Sequence, residues 1–428
     1  MTRKLAVWLT VAILVLVPFH AFLTVFGSSI VGHYTLLRLW DDVLLAVLFG
    51  VACWWLVRDR DLREWFFGSL LVRLILIYSV LTLVLGVVAL VRDEVTLKAA
   101  GYGVLVNLRF LAWFLIVFLA AQCSSFLRRA WPRLLLIPAL IVVVFATLQY
   151  TVLPHDFLSH FGYDAQTTIA PIETINHNAH YIRVQSFLRG ANPLGAYLVL
   201  VLAALGTLFL RGNKRIIIAV SGVLALCALY ASGSRSAWIG AVLSLATVVL
   251  LSLKTRRGHL IFAGVCLLVA LVGASAFVTL HTNTRLQNEL FHTQDNAASQ
   301  SSNDAHLQGI TSGLKDVVRQ PLGDGPGTSG PASVYNAGHN SRINDNYYIQ
   351  IAQETGWLGL VLFMSIVILV GIELYTRITN SRLALVLFAS LVGLLFVGLL
   401  SHAWTDDTLA FIWWGLAGIA LAKPRKVA

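Results

Sequence analysis

Long apolar runs alternate with short polar connections along this chain, and the alternation decides its class before any motif is read. Twelve runs stand out: Leu5–Phe26, Trp40–Val57, Phe66–Val91, Val104–Phe126, Leu134–Val152, Leu194–Leu210, Ile216–Tyr230, Trp238–Leu253, Leu260–Leu280, Trp357–Leu374, Leu383–Leu400 and Leu409–Ala422. Each reads as a helix through about 30 Å of hydrocarbon, where only internally bonded backbone is tolerated. The seventh, eighth and last are short, and several are separated by only a few residues, as helical hairpins are. The pattern predicts an all-α polytopic membrane protein of about twelve transmembrane helices, one integral membrane domain over residues 1–428. Leu5–Phe26 resembles a signal peptide in position. It is long, lacks a small-x-small cleavage site and is followed by more spans, so it reads as a retained first helix.

Two long polar connections interrupt the pattern, residues 153–193 and 281–354. In the second, residues 283–303 are rich in Gln, Asn and Ser. Asp304 to Arg319 spaces Leu307, Ile310, Leu314 and Val318 as one face of an amphipathic helix lying on the bilayer. PLGDGPGTSGP follows as a turn region, and Asn344 to Thr355 reads as a short helix entering the tenth span. No internal repeat suggests the inverted halves of a transporter.

Composition agrees. The 428 residues are 58% hydrophobic and 12% charged, with mean hydropathy +0.79, more apolar surface than a soluble chain of this length could bury. Cys53, Cys123, Cys227 and Cys266 all fall within apolar runs and form no CxxC pair, so they read as packing residues. The net charge of +11 forms no single basic patch. With the N-terminus in the cytoplasm, all seven cytoplasmic segments are basic: Arg3 and Lys4; Arg58, Arg60 and Arg63; Arg128, Arg129 and Arg133; Arg211, Lys214 and Arg215; Lys254, Arg256 and Arg257; Arg377 and Arg382; Lys423, Arg425 and Lys426. The positive-inside rule therefore places both termini in the cytoplasm and both long loops outside.

That topology leaves the external arginines unexplained. Arg183 and Arg189 lie in RVQSFLRGANPLG and Arg235 in ASGSRSAWIG, each beside small residues that would let a ligand approach. A guanidinium matches phosphate oxygens in a bidentate fashion, while the bland reading is head-group anchoring or a structural ion pair. The polar stretch GHNSRINDNYYIQIAQETGWLG, residues 338–359, holds His339, whose imidazole can take a proton from a hydroxyl. Around it Asn340, Arg342, Asp345 and Asn346 could orient the ring or hold sugar hydroxyls. Tyr347 and Tyr348 could stack on sugars or serve as interfacial belt residues. No metal site or cofactor is expected. Asp59-Arg60-Asp61 imitates a metal-binding DxD but falls in a cytoplasmic turn. The pairs Asp41-Asp42 and Asp406-Asp407 read as helix caps, and His177 with His180 lacks a third ligand. PLGDGPG is not followed by the Lys-Ser/Thr of a P-loop.

Four pieces in one order, RVQSFLRGANPLGAYL, ASGSRSAW, QPLGDGPG and HNSRINDNYYIQIAQETGWLG, resemble the O-antigen ligase and polymerase superfamily of bacterial envelope glycosyltransferases. The resemblance implies inverting, metal-independent transfer of a glycan from undecaprenyl pyrophosphate on the periplasmic face of the inner membrane. In the ligase branch the acceptor is the lipid A–core oligosaccharide, and no nucleic acid is involved. By matching position, Arg183 and Arg235 would grip the pyrophosphate with Arg189 assisting. The ligase signature expects His-Asn, nine residues, then Gly-x-x-Gly. Counting back from Gly356 and Gly359 puts Asp345-Asn346 there, whereas His339-Asn340 stands six residues earlier. His339 is the preferred base, because an exposed carboxylate near its ordinary pKa is a poor one; Asp345 is the alternative. An O-antigen polymerase or a protein O-oligosaccharyltransferase would use the same donor type, and a twelve-helix secondary transporter is the reading from another class.

Overall fold

A computed structural model describes residues 2–175, 178–212, 215–260, 264, 302–338, 342 and 345–422. The described helices are α1 (Thr2–Leu16), α2 (His20–Val31), α3 (Tyr34–Leu37), α4 (Trp40–Arg58), α5 (Arg60–Gly68), α6 (Leu70–Val91), α7 (Leu97–Gln122), α8 (Ser125–Thr151), α9 (Ala191–Arg211), α10 (Arg215–Ala231), α11 (Arg235–Ser252), α12 (Ser302–Arg319), α13 (Tyr347–Tyr375), α14 (Arg382–Val397) and α15 (Asp407–Leu421). The chain is an all-α polytopic membrane protein. Seven helical stretches among the described residues are long and apolar enough to cross a membrane: α1 with α2, then α6, α7, α8, α9, α11 and α13. The shorter apolar helices α10, α14 and α15, and α4, coincide with four further expected spans. The ninth, Leu260–Leu280, lies almost wholly outside the described residues, as do Lys214, Lys423, Arg425 and Lys426.

Where element ends differ from expectation, a local cause is visible. The first span is interrupted by a 3-10 turn at Val17–Phe19, where Pro18 lacks the amide a continuous helix needs. The third begins at Leu70, not Phe66, because residues 60–68 form a separate helix. Asp59 caps it by accepting from Leu62 N at 2.9 Å, which gives the DxD-like turn a structural use.

The core runs through α7 and α15. Trp113, Trp404, Trp413 and Trp414 are all under 2% exposed. Trp113 Nε1 donates to Phe411 O at 2.7 Å, and Trp413 Nε1 to Ser390 Oγ at 3.0 Å, so these two buried indole donors are satisfied. Beside this aromatic layer α9, α11 and α14 pack through small residues. A Cβ on Gly393 would stand 2.2 Å from Gly240 O, and one on Gly195 2.8 Å from Ala237 Cβ. Such seams let membrane helices approach closely where no hydrophobic force draws them together. The Gly240–Gly393 contact also brings the start of α11 and the end of α14 to the same end of the bundle.

That end carries the polar segments. A two-stranded antiparallel hairpin, β1 (Glu173–Ile175) with β2 (Asn178–Arg183), pairs Glu173 with Arg183. Helix α12 covers the expected amphipathic segment but divides its apolar stripe. Val317 and Ile310 pack on Ile349 and Ala352 of α13, while Leu307, Leu314 and Val318 stay exposed. The tenth span starts early: α13 runs from Tyr347 and breaks at Gly356, whose φ is +68°.

Candidate functional site

Two arginines meet at the turn between α10 and α11. Arg183, at the end of β2, donates from Nε to Ser232 O at 2.9 Å and from Nη2 to Asn192 Oδ1 at 2.5 Å. Its chain direction is fixed by Val184 N bonding Ala231 O at 3.0 Å. Gly233 leaves the room it needs: a Cβ there would stand 3.3 Å from Arg183 Nε, and its φ of +59° suits glycine. Arg235 opens α11 two residues later, within electrostatic reach of Arg183. Burial draws the Arg183 guanidinium below its ordinary value and the Glu173 carboxylate partly restores it, although an arginine stays charged in either case. Glu173 is also tied to α9, accepting from Ala191 N at 3.1 Å. Two guanidiniums held side by side repel one another, and an anion between them would relieve that repulsion.

Arg189 is exposed six residues on, at the rim of a small polar cavity shared with Arg38, His20, Asp406 and Asp407. The segment joining Arg183 to Arg189 is packed. Phe187 stacks on Phe145 at 4.3 Å. Buried Ser186, at φ +55°, donates from its backbone N to Gln149 Oε1 at 3.0 Å and from its Oγ to Val142 O at 2.8 Å.

The second polar cluster is built on Glu354. Its side chain is fully buried and accepts from Asn107 Nδ2 at 2.6 Å and Gly327 N at 2.8 Å. Its backbone oxygen accepts from Gly325 N at 2.9 Å, and Trp357 N reaches Pro321 O at 3.0 Å. The loop QPLGDGPG is thereby stitched to the ETGW segment at the α13 break. It lies flat on α7, since a Cβ on Gly327 would stand 2.3 Å from Ala99 O. Arg342 joins the same loop. Its guanidinium pairs with Asp324 and lies 3.7 Å from Asp316, and its carbonyl accepts from Gly330 N at 2.8 Å.

His339 and Asn340 lie outside the described residues, and Asp345 is exposed. Four other expected ligand residues have structural partners. Arg342 is engaged by the two aspartates. Asn346 caps α13, its Oδ1 accepting from Tyr348 N and Ile349 N, both at 3.0 Å. Tyr347 is 1% exposed, edge-on to Phe363 at 5.7 Å, and offers no ring face to a sugar. Tyr348 donates its hydroxyl to Leu395 O at 2.8 Å. Tyr347 N bonds Gly398 O at 2.9 Å, beyond the end of α14. The Arg183–Arg235 pair and the Glu354 cluster thus share one end of the bundle.

Two expected caps behave differently. Asp406 does cap α15, accepting from Leu409 N at 3.2 Å. Asp41, in the first turn of α4, makes no hydrogen bond from either carboxylate oxygen. It faces His20, and Arg109 pairs with Asp407 beside it. Sequence reading missed this cluster and Glu354; the signal was ionisable residues inside or beside apolar helices, which demand partners. His177 lies outside the described residues.

A protein-family model described as O-Antigen ligase matches residues 220–364. Over those residues the chain is similar to the O-antigen ligase and polymerase superfamily. A curated relative, an O-antigen polymerase from Salmonella muenchen, is 26% identical over 209 residues, 48% of this chain and 51% of the relative. The chain thus spans about half the length of the curated relative it matches. The superfamily's members are glycosyltransferase-like enzymes of O-antigen processing, acting on lipid-linked glycans. The matched residues include Arg235, Glu354 and the His339 segment; Asn107, Arg183 and Arg189 precede them.

Proposed function

We propose that the chain is an O-antigen ligase, transferring a glycan from undecaprenyl pyrophosphate to a lipid A–core acceptor on the periplasmic face of the inner membrane. The observation that carries this reading is the juxtaposition of Arg183 and Arg235, two guanidiniums anchored on one turn. In the reaction an acceptor hydroxyl attacks the anomeric carbon, inverting it, and the carbon–oxygen bond to pyrophosphate breaks. The negative charge that develops on the departing pyrophosphate falls to Arg183 and Arg235, with Arg189 assisting. Preorganised cations at developing charge form a large catalytic term. His339 takes the hydroxyl proton; Asp345 is the alternative base. The chain that follows His339 is tethered at Arg342, whose carbonyl accepts from Gly330 N, and at the Asn346 cap.

A polymerase is the second reading, favoured by the name of the Salmonella muenchen relative. It would use the same donor grip and hand the glycan to another lipid-linked chain. Expression in a ligase-deficient strain separates the two. Long-chain lipopolysaccharide on lipid A–core supports the ligase, and polymer left on its carrier lipid rejects it.

A further inference from the structure

Four stretches of chain bring ionisable groups together: His20 from α2, Arg38 with Asp41 and Asp42 from the α3–α4 junction, Arg109 from α7, and Asp406 and Asp407 at the start of α15. Asp41 is 1% exposed, and His20, Arg109, Asp406 and Asp407 are also buried. Arg109 pairs with Asp407 Oδ1 and lies 4.0 Å from Asp42 Oδ1. Arg38 turns to Tyr102, donating to its hydroxyl at 2.5 Å. Four carboxylates thus face Arg38, Arg109 and, at the cavity rim, Arg189, leaving one negative charge in excess. Buried charge at that density must be paired, protonated or coordinated to a cation.

The geometry around His20 favours coordination. Its Nδ1 lies 3.6 Å from Asp41 Oδ1 and its Nε2 3.7 Å from Asp407 Oδ2. One ligand atom from each of His20, Asp41 and Asp407 falls within 4.8 Å of the others. Two ligands of a tetrahedral ion with bonds of about 2.1 Å are about 3.4 Å apart, so small rotamer changes close the set. Neither oxygen of Asp41 accepts a hydrogen bond, nor does Thr24 Oγ1 make one. A cavity of about 40 Å³ adjoins the cluster, with His20, Thr24, Asp406 and Asp407 in its wall along with the cations Arg38 and Arg189, and has room for a water or an ion.

We propose that His20, Asp41 and Asp407 form a divalent-cation site that locks α2, α4 and α15 together. One imidazole nitrogen and two carboxylates suit Zn²⁺ or Mn²⁺ better than Mg²⁺ or Ca²⁺, which prefer oxygen alone. The ring nitrogen not bound to the ion can donate to a carboxylate, as metal-binding histidines commonly do. The site is structural. It shares no ligand with the Arg183–Arg235 pair, and its ion takes no part in glycan transfer.

The test uses the full chain in lipid nanodiscs, stripped with chelator and titrated with Zn²⁺ or Mn²⁺. We expect one ion per chain by elemental analysis and an unfolding midpoint that rises with ion concentration. Asp41→Asn and His20→Gln should each weaken binding at least ten-fold, while Glu64→Gln, on an exposed helix elsewhere, should leave it unchanged. The proposal is overturned if the stripped protein takes up no stoichiometric ion, the excess charge then being met by protons. It is equally overturned if Asp41→Asn and His20→Gln both bind as the parent does, or if Mg²⁺ and Ca²⁺ bind more tightly than Zn²⁺ and Mn²⁺.

Discussion

Replacing Glu354 separates a structural centre from an incidental buried acid. Its two side-chain oxygens are the acceptors for Asn107 Nδ2 and Gly327 N, both buried. Glu354→Ala orphans both donors, and each costs about 1–3 kcal/mol when left unsatisfied. The loss is therefore about 2–6 kcal/mol before any cavity is counted. Glu354→Gln should be far milder. Its carbonyl oxygen can keep the bond from Gly327 N. Asn107 can turn its amide so that Oδ1, which has no hydrogen-bond partner, accepts from the new amide. What is lost is the charge assistance, about 1 kcal/mol. Reversible unfolding in mixed micelles measures both variants, and limited proteolysis at residues 320–330 reports whether the loop has left α7. A Glu354→Ala protein as stable as the parent, with its loop equally protected, would refute the claim that this carboxyl holds the loop.

Three further outcomes follow from the same contacts. Gly327→Ala forces a Cβ to within 2.3 Å of Ala99 O at a φ of +91°; it should cost at least about 1–3 kcal/mol and expose the loop to protease. Arg109→Leu strands the buried Asp407 and should lower stability by about 3–5 kcal/mol, with much of the loss recovered when Asp407→Asn is added, as read by the same unfolding assay. Tyr348→Phe removes one hydrogen bond to Leu395 O, so stability should fall by about 0.5–1.5 kcal/mol while transfer by the folded enzyme stays unchanged; lost transfer would restore Tyr348 as a sugar contact.

The spans were legible because a membrane helix must be apolar along its length, whatever it packs against. The breaks at Pro18 and Gly356 were harder. Gly356 is needed because a Cβ there would lie 2.5 Å from Pro321 O, a contact made by a loop remote in sequence. Arg183 and Arg235 were readable as cations that topology left unexplained, with small neighbours beside them. Their meeting on the Ser232–Gly233 turn was not, since it depends on how β2 enters the bundle. The aspartates show the same limit most sharply. At a helix start, Asp41 and Asp406 look alike. Only packing reveals that Asp406 caps its helix while Asp41 lies against His20. Tyr347 likewise resembled a ligand residue until its burial against Phe363 was seen.

The central claim is that Arg183 and Arg235 together hold the charge that leaves with pyrophosphate. The most direct measurement is single-turnover glycan transfer from a lipid-pyrophosphate donor by the purified enzyme, comparing the parent with Arg183→Ala and Arg235→Ala at equal folded protein. Each substitution should slow transfer by about 10²–10³-fold, the usual effect of removing one donor from a developing anion. Transfer at the parent rate by both variants would contradict the account.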